Sequence, residues 1–263
     1  MFLDRLHQAR GLTEGRVTLH WGAQIVAAVG HTLRPPQPDF SHTALEVRDA
    51  RLTTRVEGVE VALDAAGVLQ IRREGDARTL PLVGLTVRQA LVELAQGLRL
   101  FGLDVEALHR PEHPMPPHPV ELGEPFASFP VEAIEVLRWL QTGRDLLGEI
   151  LGNDFGPARL WPHHFDVARS WTVTGAGGEA KTVTAGLSPG DEHEDEPYFY
   201  VAPWPPPNDA LPLPPLSAGV WRREGWTGAA LLGSTLLEAE DRQGLCADFL
   251  KTAVAASAAL LRS

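Results

Sequence analysis

Two proline-dense segments, at 110–119 and 203–215, constrain the fold of this sequence more than any other feature. Proline fixes φ and has no N–H donor, so neither segment can form a regular helix or a central strand. The first segment predicts an irregular connector over 110–128, between an N-terminal half at 1–109 and a C-terminal half at 129–263. We expect the two halves to pack as one globular unit. The second segment predicts an extended, external stretch.

Helices are predicted on both sides of the connector. Apolar residues recur at every fourth position from Val17 to Leu33, and Pro35-Pro36 follow, which indicates a first helix. Thr86-Val87-Arg88-Gln89 has the form of a capping box and predicts a second helix that ends near Gly102. A third helix is predicted from Pro130 to Leu151, and a last helix from about Arg242 to Leu261.

Strands are predicted between these helices. Short alternating runs indicate strands at 43–47, 52–56, 59–63 and 68–71 in the first half, the last two forming a hairpin. Similar runs in the second half lie at 160–168, 171–173, 182–187, 197–202 and near 228–232, with a turn at 175–178.

Both halves therefore have the order helix, strands, helix. Ala44-Leu45-Glu46-Val47 also matches His164-Phe165-Asp166-Val167. We expect an α+β fold with a mostly antiparallel sheet, shared by the halves, and helices on one face. A pseudo-twofold duplication of one helix-strands-helix unit is one interpretation of the repeated order, and coincidence between common element orders is the other.

Charge and cysteine content limit the partners and the compartment. The formal net charge of -11, from 34 acidic against 23 basic residues, opposes binding to nucleic acid and to anionic membranes. The apolar stretch from Thr252 to Leu261 is too short to span a bilayer. The lone Cys246 cannot form an internal disulfide. A cytoplasmic location is expected.

The strongest candidate site lies in the segment from Glu196 to Trp204, which contains both tyrosines of the chain. On a strand, Tyr198 and Tyr200 would share one face. Together with Glu196 they would form a carboxylate and phenol set for proton transfer or for binding a polar ligand. Packing of structural tyrosines is the simpler explanation.

Histidines suggest two further sites. His20 and Gln24 lie on one stripe of the first helix and either line a pocket or form a solvated helix edge, the commoner case. His164 and Asp166 would share a strand face, and such a pair can supply two ligands to a divalent metal. Further ligands would come from residues on other segments: His42, Asp191, His193 or Glu196. The alternative is that His164 and Asp166 form hydrogen bonds with the local backbone and that the acidic segment 191–196 forms a solvated loop.

The chain resembles a group of uncharacterised bacterial proteins, the domain-of-unknown-function family 5996. The resemblance covers most of the chain and is carried by these segments: Leu19-His20-Trp21, Gln24-Ile25-Val26, His42, Leu45, Val47, Leu52-Thr53-Thr54, Phe165-Asp166, Glu196-Pro197 and Phe199-Tyr200. The chain departs from the family at His163 and His164, where small residues are usual, at Arg159, where a histidine is usual, and in lacking a Trp-Pro opening. The resemblance implies no catalytic residue, because the activity of the family is not established.

The sequence contains no nucleophile elbow and no phosphate-binding loop, which disfavours a serine hydrolase, a Rossmann dehydrogenase and a P-loop kinase. Our leading hypothesis is a small-molecule-binding protein with a central aromatic and acidic pocket. One alternative is a metal-dependent enzyme that uses His164 and Asp166, and another is an interaction module that uses the proline-rich segments. The predicted ligand-binding residues are His20, Gln24, His42, Asp166, Glu196, Tyr198, Tyr200 and Trp204.

Overall fold

The strands of this chain form two separate antiparallel sheets, as a computed structural model that describes residues 2–174, 178–208 and 211–262 shows. The α+β class and the antiparallel pairing are confirmed. The predicted single shared sheet does not form, because the strands of each run pair with one another and not with those of the other run. The main helices are α1 Thr13–Leu33, α2 Val87–Leu100, α3 Ala133–Ile150, α4 Gly233–Glu238 and α5 Arg242–Arg262.

The eleven strands that the described residues form are shorter on average than the helices. They are β1 Glu46–Arg48, β2 Arg51–Val56, β3 Val59–Leu63, β4 Val68–Arg73, β5 Asp76–Pro81, β6 Arg159–Trp161, β7 Asp166–Thr174, β8 Ala180–Ser188, β9 Tyr198–Trp204, β10 Val220–Arg222 and β11 Gly228–Leu232.

The chain divides into two compact units that interleave in sequence. The N-terminal unit comprises Leu12–Leu137 and Leu160–Phe165. The C-terminal unit comprises Met1–Gly11, Arg138–Arg159 and Asp166–Ser263. The connector at 110–128 therefore belongs to the N-terminal unit, whereas the sequence predicted a segment between two halves.

The sheet of the N-terminal unit is a meander in the order β1-β2-β3-β4-β5. Three of its hairpins have two-residue turns with positive φ at both central positions: Asp49-Ala50, Glu57-Gly58 and Glu74-Gly75. Such turns match the twist of antiparallel strands, so they fix the pairing of neighbours. The predicted hairpin of β3 and β4 is confirmed by the pairing of Leu63 with Leu69.

Helix α1 packs against β2 and β3 and supplies much of the core of this unit. Every residue from Thr18 to Gly30 is buried. A helix that is buried all round has no solvated edge, so the solvated interpretation of the His20 and Gln24 stripe is wrong. Helix α2 begins with the predicted capping box, in which the Thr86 and Gln89 side chains each bond the other's backbone N–H.

The second sheet has the order β10-β11-β9-β8-β7-β6. In the C-terminal unit, α5 packs against β7, β8, β9 and β11. Helix α5 is long and apolar enough to cross a membrane by length and composition alone, which is weak evidence because a buried core helix passes the same test. Eight of its residues, including Phe249 and Leu250, are buried. Residues 175–177 of the predicted 175–178 turn lie outside the described residues.

Candidate functional site

The connector of the N-terminal unit is fastened along one side of α1. The Trp21 indole N–H donates to the Pro116 carbonyl at 3.0 Å, and the His113 Nε2 lies 2.9 Å from the Gln24 Oε1. Near the end of α1, the His109 backbone N–H donates to the Thr32 hydroxyl at 3.0 Å. One turn of 3-10 helix forms within the connector, at Pro119–Leu122, and these contacts hold the irregular proline-rich residues before it.

A cavity of about 690 Å³ lies between this fastened segment and α2. Its floor is apolar and includes Leu91, Ala95, Leu108 and Val120, of which Leu91 is half-buried and the others are buried. Val92, with 52% of its surface exposed, stands at the opening. The volume and the mixture of apolar floor and charged rim are typical of small-molecule sites.

Five charged side chains line the cavity: Arg88, Arg99, Arg110, Glu106 and Glu121. The Arg110 guanidinium lies 5.5 Å from the centre of the Trp21 ring, a cation–π contact. The Arg99 Nη1 donates to the Val105 carbonyl at 2.8 Å, which ties α2 to the loop that follows it. None of the eight predicted ligand-binding residues is among those that line this cavity.

His20 and Gln24 form a buried network in the same unit. The His20 Nε2 and the Gln24 Nε2 both donate to the Pro162 carbonyl, at 2.7 and 2.8 Å. Because the Gln24 amide nitrogen faces that carbonyl, its oxygen faces His113, whose Nε2 must therefore carry a hydrogen. The Phe165 ring stacks on His20 with centroids 4.9 Å apart.

Burial keeps these imidazoles neutral. Burial lowers the pKa of His20 to about 4, against a partial opposing effect of its bond to Pro162. Burial, helped by the neighbouring His164, also lowers the pKa of His163 to about 4. Burial also lowers the pKa of His113. A neutral imidazole can hold a carbonyl in place, which is what His20 does here.

His42 lies away from this network within the N-terminal unit. Its Nδ1 accepts from the Gln37 backbone N–H at 3.1 Å, and its ring stacks on that of His31. His31 follows His20 by eleven residues on α1, roughly 16 Å along the helix axis. His42 is therefore a loop-stabilising residue in this structure, and it does not join His20 and Gln24.

In the C-terminal unit, each tyrosine donates to an aspartate. The Tyr200 hydroxyl donates to Asp166 Oδ2, and the Tyr198 hydroxyl donates to Asp191 Oδ2. As strand alternation predicts, the two rings are neighbours, with centroids 6.2 Å apart. The Trp226 ring lies 6.3 Å from Tyr198 and 6.0 Å from Tyr200. We call these five side chains the tyrosine–aspartate cluster.

The cluster leaves both phenols protonated. Burial raises the pKa of Tyr200 well above its usual value, and the nearby Asp166 adds to the rise. Burial and Asp191 likewise raise the pKa of Tyr198. The Tyr200 ring lies over Gly186, where a Cβ atom would come within 2.5 Å of the ring. These phenols can donate hydrogen bonds, but they cannot serve as bases near neutral pH.

Glu196 and Trp204 have other surroundings. The two carboxylate oxygens of Glu196 accept from the backbone N–H of Ser234 at 2.6 Å and from its hydroxyl at 3.0 Å, at the start of α4. Trp204 has 67% of its surface exposed. Glu196 therefore fixes a chain turn, and ligand binding by either residue stays a prediction.

Among residues 2–174, 178–208 and 211–262, no group of three or more His, Cys, Asp or Glu side chains is arranged to hold a metal ion. His164 belongs to the N-terminal unit, and its ring lies 4.2 Å from that of His163. Asp166 belongs to the C-terminal unit and accepts from Tyr200. Of the other proposed ligands, Asp191 is engaged locally, since it accepts from the backbone N–H groups of His193 and Glu194.

No family model matches the chain, and neither a curated protein nor a solved structure was found to match it. The resemblance to family 5996 thus stays a prediction.

No local sequence pattern encodes this cavity, so it was not among the predicted sites. One side of α2 contains Arg88, Val92 and Arg99, and such a pattern is typical of an ordinary solvated helix face. The opposite wall comes from residues 106–108, which follow α2, and from Arg110, Val120, Glu121 and Gly123 of the predicted connector.

Proposed function

We propose that this protein binds a small organic molecule in the cavity between α2 and the connector. The observation that carries the proposal is the cavity itself: about 690 Å³, with an apolar floor and a charged rim, within one unit. Sites for small ligands usually fall between roughly 300 and 1,000 Å³ and combine apolar walls with a few polar groups. The fastened connector holds one wall in place without a ligand.

A neutral aromatic probe tests the proposal. We expect N-phenyl-1-naphthylamine to bind saturably with one site per chain, as fluorescence polarisation would measure. Val92→Trp should weaken this binding roughly tenfold or more, because an indole at the opening would occupy part of the cavity.

Val131→Trp is the matched control, since Val131 is 81% exposed, belongs to the same unit and does not line the cavity. This variant should bind the probe as the parent does. Equal weakening by both variants, or no saturable binding at all, would contradict the proposal.

The tyrosine–aspartate cluster is a second binding candidate, favoured by the convergence of three rings and two carboxylates. Aromatic faces beside carboxylates suit a flat or cationic molecule.

The metal-dependent alternative rests on two residues, His164 and Asp166. Among the described residues, no group of three or more His, Cys, Asp or Glu side chains completes a metal site around them. A cytoplasmic location and the absence of nucleic-acid and membrane partners also stay predictions.

A further inference from the structure

We infer that the ligand of the α2 cavity is an amphiphilic organic anion, whose carboxylate or sulfonate head pairs with Arg88 and Arg110. The inference rests on the proposed function and adds the chemical class of the ligand. The chain as a whole has 34 acidic against 23 basic residues. The cavity reverses this balance, with three arginines against two glutamates. A positive site on an acidic protein selects anions locally while the rest of the surface repels them.

The Arg110 guanidinium is oriented by two contacts that leave several of its N–H donors for such a head group. Its guanidinium lies over the Trp21 ring, and Trp21 is itself fixed by its bond to the Pro116 carbonyl. One Arg110 nitrogen, Nη1, reaches the Pro111 carbonyl at 3.3 Å. Stacking and this single bond fix the planar group and leave other N–H donors for a carboxylate, which a guanidinium binds in a bidentate manner.

Arg88 supplies a second positive charge. Within the described part of the chain, its guanidinium has no hydrogen-bond or ion-pair partner, so an anion would displace no existing contact. Arg99 stands eleven residues further along α2, roughly 16 Å away along the axis, so one head group does not pair with both Arg88 and Arg99. We therefore assign the head group to Arg88 and Arg110.

The apolar body of the ligand has a separate place. Ala95, Leu108 and Val120 are buried with at most 6% of their surface exposed, and they form a floor without charge. Burial of an apolar body stabilises the complex in proportion to the area removed from water. A small inorganic anion would gain nothing from this floor, which is why the inference is an amphiphile.

Two probes with the same aromatic skeleton separate the contribution of the anionic head group from that of the apolar body. 1-Anilinonaphthalene-8-sulfonate differs from N-phenyl-1-naphthylamine by its sulfonate group alone. We expect the sulfonate probe to bind about a hundredfold more tightly than the neutral probe, since each of the two charge-assisted contacts typically contributes about tenfold. Circular dichroism and a single cooperative unfolding transition would show that the sulfonate probe reports a folded protein.

Substitutions of the charged rim test the assignment residue by residue. Arg88→Gln and Arg110→Gln should each weaken binding of the sulfonate probe roughly tenfold, and each should weaken binding of the neutral probe by a smaller factor. Glu121→Gln should strengthen the sulfonate probe, because it removes a negative charge from the rim. Arg78→Gln is the control, since Arg78 is an exposed arginine of β5 in the same unit, outside the cavity lining. If Arg110→Gln unfolds the protein because the contact with Trp21 is lost, Arg88→Gln still tests the inference.

The outcomes of this experiment are distinct. Equal affinity for the two probes, or a sulfonate affinity that Arg88→Gln leaves unchanged, would overturn the anion inference and leave the proposed function standing. Failure of both probes to bind would overturn the proposed function as well. Preferential sulfonate binding that falls in the two arginine variants and rises in Glu121→Gln supports the inference.

Discussion

At the scale of single residues, burial decides the chemistry of the polar groups that the sequence singled out. Gln24 is fully buried and His20 is 7% exposed, and both serve one carbonyl, that of Pro162. Tyr198 and Tyr200 each have an aspartate as acceptor. A buried polar group without a partner is costly, so partners of this kind are what the packing requires.

The two tyrosines give a clean spectroscopic prediction, because the chain has no others. Their pKa values are raised in the folded protein by burial and by the neighbouring aspartates. A raised folded pKa stabilises the protein fully below the unfolded value near 10, and that contribution is lost as the pH rises above it. We expect no tyrosinate absorbance in the folded protein near pH 10, and its appearance only together with alkaline unfolding.

The control for this titration is the same protein in denaturant, where both phenols should ionise near pH 10. Half-ionisation of either tyrosine at that pH while the circular dichroism stays native would show that the aspartate contacts do not persist in solution.

At the scale of elements, the sequence predicted what local periodicity and end signals encode. The four-residue spacing and Pro35-Pro36 located α1, and the Thr86 capping box located the start of α2. Strand β5 was missed because nearly all its residues are exposed, so it has no hydrophobic alternation. Strand β10 has only three residues. Such edge strands are specified by their neighbours in the sheet, which no local window contains.

The end of α3 depends on one arginine that no sequence signal marked. The Arg169 guanidinium donates to five backbone carbonyls at and beyond the end of this helix: Leu147, Leu151, Gly152, Phe155 and Gly156. Four of these five carbonyls lie beyond the last residue of the helix, where the helical ladder supplies no N–H donor. Arg169 satisfies them from β7, and burial lowers its pKa.

Arg169→Lys should lower the free energy of unfolding by about 2–3 kcal/mol, as urea denaturation would measure. Lysine keeps the charge, but its single ammonium group has three N–H donors at one position and cannot reach all five carbonyls. Several of these carbonyls would therefore lose their partner. Arg78→Lys, at an exposed position of β5, should change the stability by less than about 0.5 kcal/mol. An equally small effect at Arg169 would mean that water replaces its bonds.

At the scale of the whole molecule, the chain path differs from the two consecutive halves of the sequence analysis. The N-terminal unit takes Leu12–Leu137 and then a short return segment, Leu160–Phe165. A cut through the connector at 110–128 would therefore divide this unit. Composition identified the proline-rich segment correctly as irregular, but composition does not show what a segment packs against. The fold class was predictable for this chain, and the path between units was not.

The return segment completes the N-terminal unit through several contacts. Leu160 exchanges two backbone hydrogen bonds with Leu45, each 2.9 Å long. The Pro162 carbonyl accepts from His20 and Gln24. A fragment of residues 12–137 alone would leave these buried donors without acceptors.

A fragment comparison tests this architecture. Residues 12–137 followed by a flexible Gly/Ser linker of about 20 residues and then 160–165 should be more stable than the same chain with 160–165 scrambled, by at least about 2 kcal/mol. Thermal unfolding followed by circular dichroism would measure the difference. A Gly/Ser linker imposes no geometry of its own, so a gain must come from the native order of the six residues. Identical unfolding of the two fragments would show that the segment is a passive connection, and the unit boundary would then lie at residue 137.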